Sequence, residues 1–213
     1  DPNFNSYFFL MSVIHIQILF NIGALADCLD IGYKVLNVIN NQSINNLKPD
    51  YMSEDDFRSL VVDSAGYVAL ANVLLLSGNV DEFLKILRGE LNCIPESYNL
   101  FIELQNLIHG KPIQKLNPNI SDTDRFGSVI YNIINAFISF SGDYNLFAED
   151  IYKAKIVAKR NRLHQLELFS DLMIGYAYME LESYKKADSI IYKIIKATNN
   201  NGMTTLLYVA WYI

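Results

Sequence analysis

Ile174-Gly175-Tyr176-Ala177-Tyr178-Met179-Glu180-Leu181-Glu182-Ser183-Tyr184-Lys185-Lys186-Ala187 interrupts an apolar helical pattern with a short polar turn and resumes it on the far side. Gly175 and Ala187 are small where two helices joined by such a turn would touch, and Tyr178 and Tyr184 are spaced to fill the room around that contact. The spacing predicts a helical hairpin with helices over 162–181 and 184–198. Three more tight turns divide paired apolar stretches: Phe20-Asn21-Ile22-Gly23-Ala24-Leu25, Leu76-Ser77-Gly78-Asn79-Val80 and Phe140-Ser141-Gly142-Asp143-Tyr144.

With 10 Gly and 5 Pro in 213 residues, and apolar residues recurring at three-and-four spacing, helix is expected nearly throughout. The pattern predicts further helices over 4–21, 25–40, 54–77, 80–93, 97–109, 122–141 and 144–159, and a last one from 203 onward. Ser53 and Ser121 stand three residues before Asp56 and Asp124 and read as N-caps, whose side-chain oxygens take orphan N–H groups of the first turn. Residues 40–49, rich in Asn and Ser, and 110–121, with Pro112 and Pro118, read as loops between hairpins.

The Gly175, Tyr178, Tyr184, Ala187 series resembles the tetratricopeptide repeat. Aligning the other turns on it gives Leu74, Gly78, Val80, Phe83 and Pro95 in one unit, Ile138, Gly142, Tyr144 and Ala154 in another, and Leu19, Gly23, Leu25 and Cys28 in the first. Successive turns, at 23, 78, 142 and 182, are 55, 64 and 40 residues apart, against about 34 for a standard repeat, so the units are degenerate. The motif itself covers 162–198. The resemblance implies an all-α fold of antiparallel hairpins stacked into a tetratricopeptide-like α-solenoid, one domain over 1–213 with a weak internal boundary near 110–121. A chain that opens on Asp1 and closes on the apolar run Met203–Ile213 is expected to be a piece of a longer protein, because terminal units of solenoids normally present a polar outer face.

Hydrophobic residues make up 51% and charged ones 19%, so the chain can bury a substantial core. Residues 1–107 hold 5 Lys/Arg against 13 Asp/Glu, net −8, and 108–213 hold 12 against 10, net +2, which gives the overall −6. An acidic chain of pI about 5.0 argues against nucleic acid as the main partner, since phosphate binding needs a basic face. Cys28 and Cys93 lack metal spacing and read as buried, reduced thiols of an intracellular protein. The apolar run Tyr7–Phe20 is too short for a span and carries His15 and Gln17, so it reads as a buried helix and no membrane span is expected.

An enzyme should leave traces of its chemistry. No phosphate loop, dinucleotide fingerprint, HExxH, GxSxG or EF-hand loop occurs. His164 with Glu167 is the one pair at metal-like helical spacing, and it reads as a surface ion pair. The expectation is a chain with no catalytic residues, no metal and no cofactor.

The resemblance implies a scaffold that grips a partner peptide or helix in a concave groove formed by the first helix of each hairpin. Carried over position by position, the groove takes Gln17 and Asn21, Asn72 and Leu76, Asn132, Ala136 and Phe140, then Tyr176, Met179 and Glu180. None is basic, so capture of a C-terminal carboxylate is not expected; amides suit an extended backbone, and Phe140, Tyr176 and Met179 suit apolar anchors. Lys153, Lys155, Lys159, Arg160 and Arg162 form a basic cluster, read as a solvated face or a docking patch for an acidic segment. The alternative is a ligand- or peptide-sensing module of a multidomain regulator, which a closed pocket with convergent polar groups would favour.

Overall fold

The computed structural model describes residues 2–41, 43–75, 80–91, 95–113, 120 and 124–201. The protein is all-α: about 82% of it is helical, with no strand among the described residues. The Gly78 turn, Cys93, the Ser121 cap and the helix expected from 203 lie outside these residues. Two compact units divide the chain, one of residues up to 102 apart from 21–23, the other of residues from 103 together with 21–23. The division falls ahead of the loop at 110–121.

The N-terminal unit contains α1 (Pro2–Asn21), α2 (Leu25–Asn41), α3 (Glu54–Leu74) and α4 (Val80–Leu91), and α5 (Asn99–Ile108) begins within it. Ser53 caps α3 as expected, accepting from the Asp56 N–H at 3.1 Å, and Glu54, Asp55 and Asp56 put negative charge on the positive end of the helix dipole. Every residue of α3 from Ser64 to Leu74 is buried, so this helix is the unit's core rather than an amphipathic cover. It is long and apolar enough to cross a membrane by length and composition, yet 72% of its apolar window is buried inside the protein. The close approach of α2 to α3 depends on Gly32: a Cβ there would stand 2.5 Å from Val68 Cγ2. From α1, Phe9 stacks on Phe57 with ring centroids 5.9 Å apart, and Ser64 Oγ lies 3.1 Å from the Val13 carbonyl. The expected burial of the apolar run in α1 holds for one face only, because Tyr7, Phe8, Met11 and Ile18 point outward.

The C-terminal unit contains α6 (Gly127–Ile138), α7 (Tyr144–Arg160), α8 (His164–Glu180) and α9 (Tyr184–Asn201), and each packs against the next across a turn of three to five residues. Such short connections force the chain to double back, so consecutive helices are antiparallel. Helix α6 is shorter than the expected 122–141: Asp124 accepts from the N–H groups of Phe126 at 3.1 Å and Gly127 at 2.8 Å and starts the helix there. Asp143 does the same for α7, accepting from Asn145 at 2.9 Å and Leu146 at 3.3 Å. The turns after α7 and α8 share one geometry. Arg162 (φ 58°) and Glu182 (φ 53°) are left-handed, and the following N–H groups of Leu163 and Ser183 return to the carbonyls of Ala158 and Tyr178, each at 2.9 Å. This paired arrangement satisfies the carbonyls that the helix end leaves without intrahelical partners.

The core of this unit is built from Ala136 of α6, Phe147, Ala148 and Ile151 of α7, and Ile174 and Ala177 of α8, with Tyr178 and Ile190 packed against it. Gly175 faces α9, where an added Cβ would meet Ile191 Cδ1 at 2.9 Å, and Ala187 is fully buried. The expected role of Tyr184 is not realised. Tyr184 is 58% exposed, and the space beside the crossing is filled by Tyr178, Ile190 and Ile191 instead.

Candidate functional site

The end of α6 and the start of α7 meet the second half of α8 in a run of aromatic rings. Phe137 and Phe147 anchor it in the interior, edge to face at 5.0 Å between centroids. Phe140, just past the α6 terminus, contacts Phe147 at 5.4 Å and Tyr144 at 5.0 Å, and Tyr144 contacts Tyr176 of α8 at 6.2 Å. Offset and edge-to-face pairs of this kind hold ring orientation beyond simple burial. Phe140 and Tyr176 each keep 39% of their surface exposed, so the run ends in a wet aromatic rim. Desolvation, then hydrogen bonds to Glu180 and Tyr144, push the Tyr176 phenol up to about 12. It therefore stays protonated at any ordinary pH and donates to the Glu180 carboxylate.

Three of the expected groove residues, Phe140, Tyr176 and Glu180, are thus brought together, with Tyr144 as the link that sequence reasoning had used only to mark a turn. Met179 is half-buried on the same helix. Asn132 is half-buried and bonds back to the Ser128 carbonyl at 2.6 Å, and Ala136 belongs to the core. In the N-terminal unit Asn72 and Gln17 join helices instead of lining a groove. Asn72 is 0% exposed and spans α3 to α2, accepting from the Tyr33 hydroxyl at 3.1 Å while donating to the Val68 carbonyl. Gln17 donates to Ser64 Oγ at 3.2 Å and ties α1 to α3. Asn21 is half-buried at the end of α1, and Leu76 lies outside the described residues.

The basic cluster does not form one face. At 100° per residue Lys153 and Arg160 share one side of α7 and Lys155 and Lys159 another. Lys155 is committed to Asp171 of α8 at 2.6 Å, Lys153 pairs with Asp150 at 2.6 Å, and Arg162 sits in the turn. Beside it a cleft of about 550 Å³ lies among α7, α8 and α9, lined in part by Glu149, Tyr152, Lys153 and Lys186, where the Lys186 ammonium stands 5.2 Å over the Tyr178 ring.

The N-terminal unit has a second cleft, about 640 Å³, between α1 and α2. Its walls are Phe8, Met11, Ile14 and Ile18 on one side and Ile31 and Val38 on the other, with Ser12, His15 and Lys34 as polar members. No group of three or more His, Cys, Asp or Glu side chains among the described residues could hold a metal ion, and His164 Nδ1 is 3.6 Å from Glu167 as a surface pair. Burial pushes the Cys28 thiol up to about 12, which leaves it without thiolate character at neutral pH. Comparison of the chain with family models, with curated proteins and with solved structures finds no match.

Proposed function

We propose that the chain is a non-catalytic interaction module of the tetratricopeptide-like kind, which holds an extended segment of another protein against the aromatic rim of its C-terminal unit. The observation that carries this reading is the Phe140–Tyr144–Tyr176–Glu180 group. Large rings are fixed in orientation by their neighbours yet left partly exposed, and rigid aromatic anchors of this type dominate the energetics of protein interfaces. The consecutive short-turn hairpins and the glycine at the α8–α9 crossing support the solenoid resemblance. The Glu180 carboxylate keeps acceptor sites beyond the one that the Tyr176 hydroxyl fills, and these can take a partner's backbone N–H beside the apolar anchors.

The alternative, a sensing module, draws on the cleft between α1 and α2, whose volume suits a small molecule. Its polar groups do not converge, for Lys34 is bonded to Asp30 and Ser12 to the Phe8 carbonyl. The scaffold reading is preferred on that ground. In affinity purification, the Phe140→Ser, Tyr176→Ala double variant should lose the chains that co-purify with the wild type while its helical circular dichroism is unchanged. Equal recovery by both would overturn the assignment of the rim.

A further inference from the structure

Helix α1 is apolar on two opposite faces. Phe9, Val13, Ile16 and Phe20 turn inward, while Tyr7, Met11, Ile14 and Ile18, spaced at four, three and four residues, form an outward stripe within about 60° of arc. A helix apolar all round is ordinarily covered all round. Tyr51 extends the stripe at one end, its ring 5.9 Å from Tyr7, and the 640 Å³ cleft between α1 and α2 runs alongside.

We propose that this face is covered by the same face of a second copy of the chain, each α1 stripe seated in the other copy's α1–α2 cleft. Three observations point to a second copy. First, Met11, Ile14 and Ile18 of the stripe also form the α1 wall of the cleft, so ridge and cleft adjoin on one surface, which is the requirement for a self-complementary twofold contact. Second, α1 contains no Asp, Glu, Lys or Arg, and Lys34 in the cleft wall is paired with Asp30, so a symmetric contact sets no unpaired like charges against each other; elsewhere two chains of net −6 repel. Third, the area suffices. The outward side chains of α1 and Tyr51 are 36% to 66% exposed. At roughly 200 Å² for each such side chain when bare, they offer on the order of 600 Å² per copy, or about 1,200 Å² for the pair, the lower bound for a specific interface.

Sedimentation equilibrium of the full chain at concentrations up to about 100 µM, the weak end for interfaces of this size, tests this. The wild type should show a doubled mass, and Met11→Glu with Ile18→Glu should halve it without changing the helical circular dichroism, since both side chains point outward. Mixing that variant with its Met11→Lys, Ile18→Lys counterpart should restore the doubled mass. A wild type that stays single, or a pair that the glutamates leave intact, would overturn the proposal. So would a single chain that binds phosphatidylcholine vesicles through the same residues, which would make a lipid surface the occupant.

Discussion

Gly32 and Gly175 both sit where one helix crosses another, but what they face differs. A Cβ at Gly32 would stand 2.5 Å and 2.8 Å from both γ-carbons of Val68, a β-branched side chain with one strongly preferred rotamer in a helix. At Gly175 the nearest atom is the terminal methyl of Ile191, which can turn aside. Gly32→Ala should therefore destabilise the fold by about 1–3 kcal/mol through overpacking. Gly175→Ala should be neutral or stabilising, because alanine regains up to about 1 kcal/mol of helix propensity. Thermal denaturation of the two variants decides it, and equal losses would contradict the packing described. Sequence spacing drew attention to Gly175 because a tyrosine and a polar turn follow it at repeat-like intervals. Gly32 went unnoticed, since a lone glycine in an amphipathic stretch carries no sign of the valine 36 positions away.

At the scale of the element, most helices were legible because period and punctuation agree. Gly23 and Gly142 adopt positive φ at their turns, Ser53 caps α3, and residues 144–160 and 184–201 start where the spacing put them. The exceptions have local causes. The helix expected from 122 begins at Gly127, where Asp124 accepts the N–H groups of Phe126 and Gly127. Arg162 was expected to open a helix, yet its N–H bonds to the Lys159 carbonyl at 3.1 Å as part of a left-handed turn that no glycine announces. Left-handed geometry costs a residue with a Cβ roughly 1 kcal/mol more than glycine. Glu182→Gly and Arg162→Gly should each raise stability by about 0.5–1 kcal/mol. A fall in denaturant midpoint for either would mean that its side chain makes a contact outweighing the strain.

For the whole molecule, scarce glycine and proline and the three-and-four periodicity were enough to read an all-α chain, and the aromatic rim was partly legible because the 162–198 motif placed Tyr176 and Glu180 on one side of α8. The same register failed in the N-terminal unit, where it was extended through turns 55 and 64 residues apart and put Asn72, a buried interhelical strut, in a groove. An amide is ambiguous in sequence: the donor and acceptor that would read a partner's backbone serve equally to join two helices. The outward stripe of α1 was hidden for a related reason, since an uncharged helix looks like core whether one face or both are covered. The account rests most on the rim formed by Phe140, Tyr144 and Tyr176. The direct measurement is photo-crosslinking in cells with benzoylphenylalanine in place of Tyr176, against the same substitution at Tyr192, a 66% exposed residue of α9 outside the ring run. The account predicts a discrete crosslinked protein from position 176 and none from 192. No product at 176, or the same products at both, would contradict it.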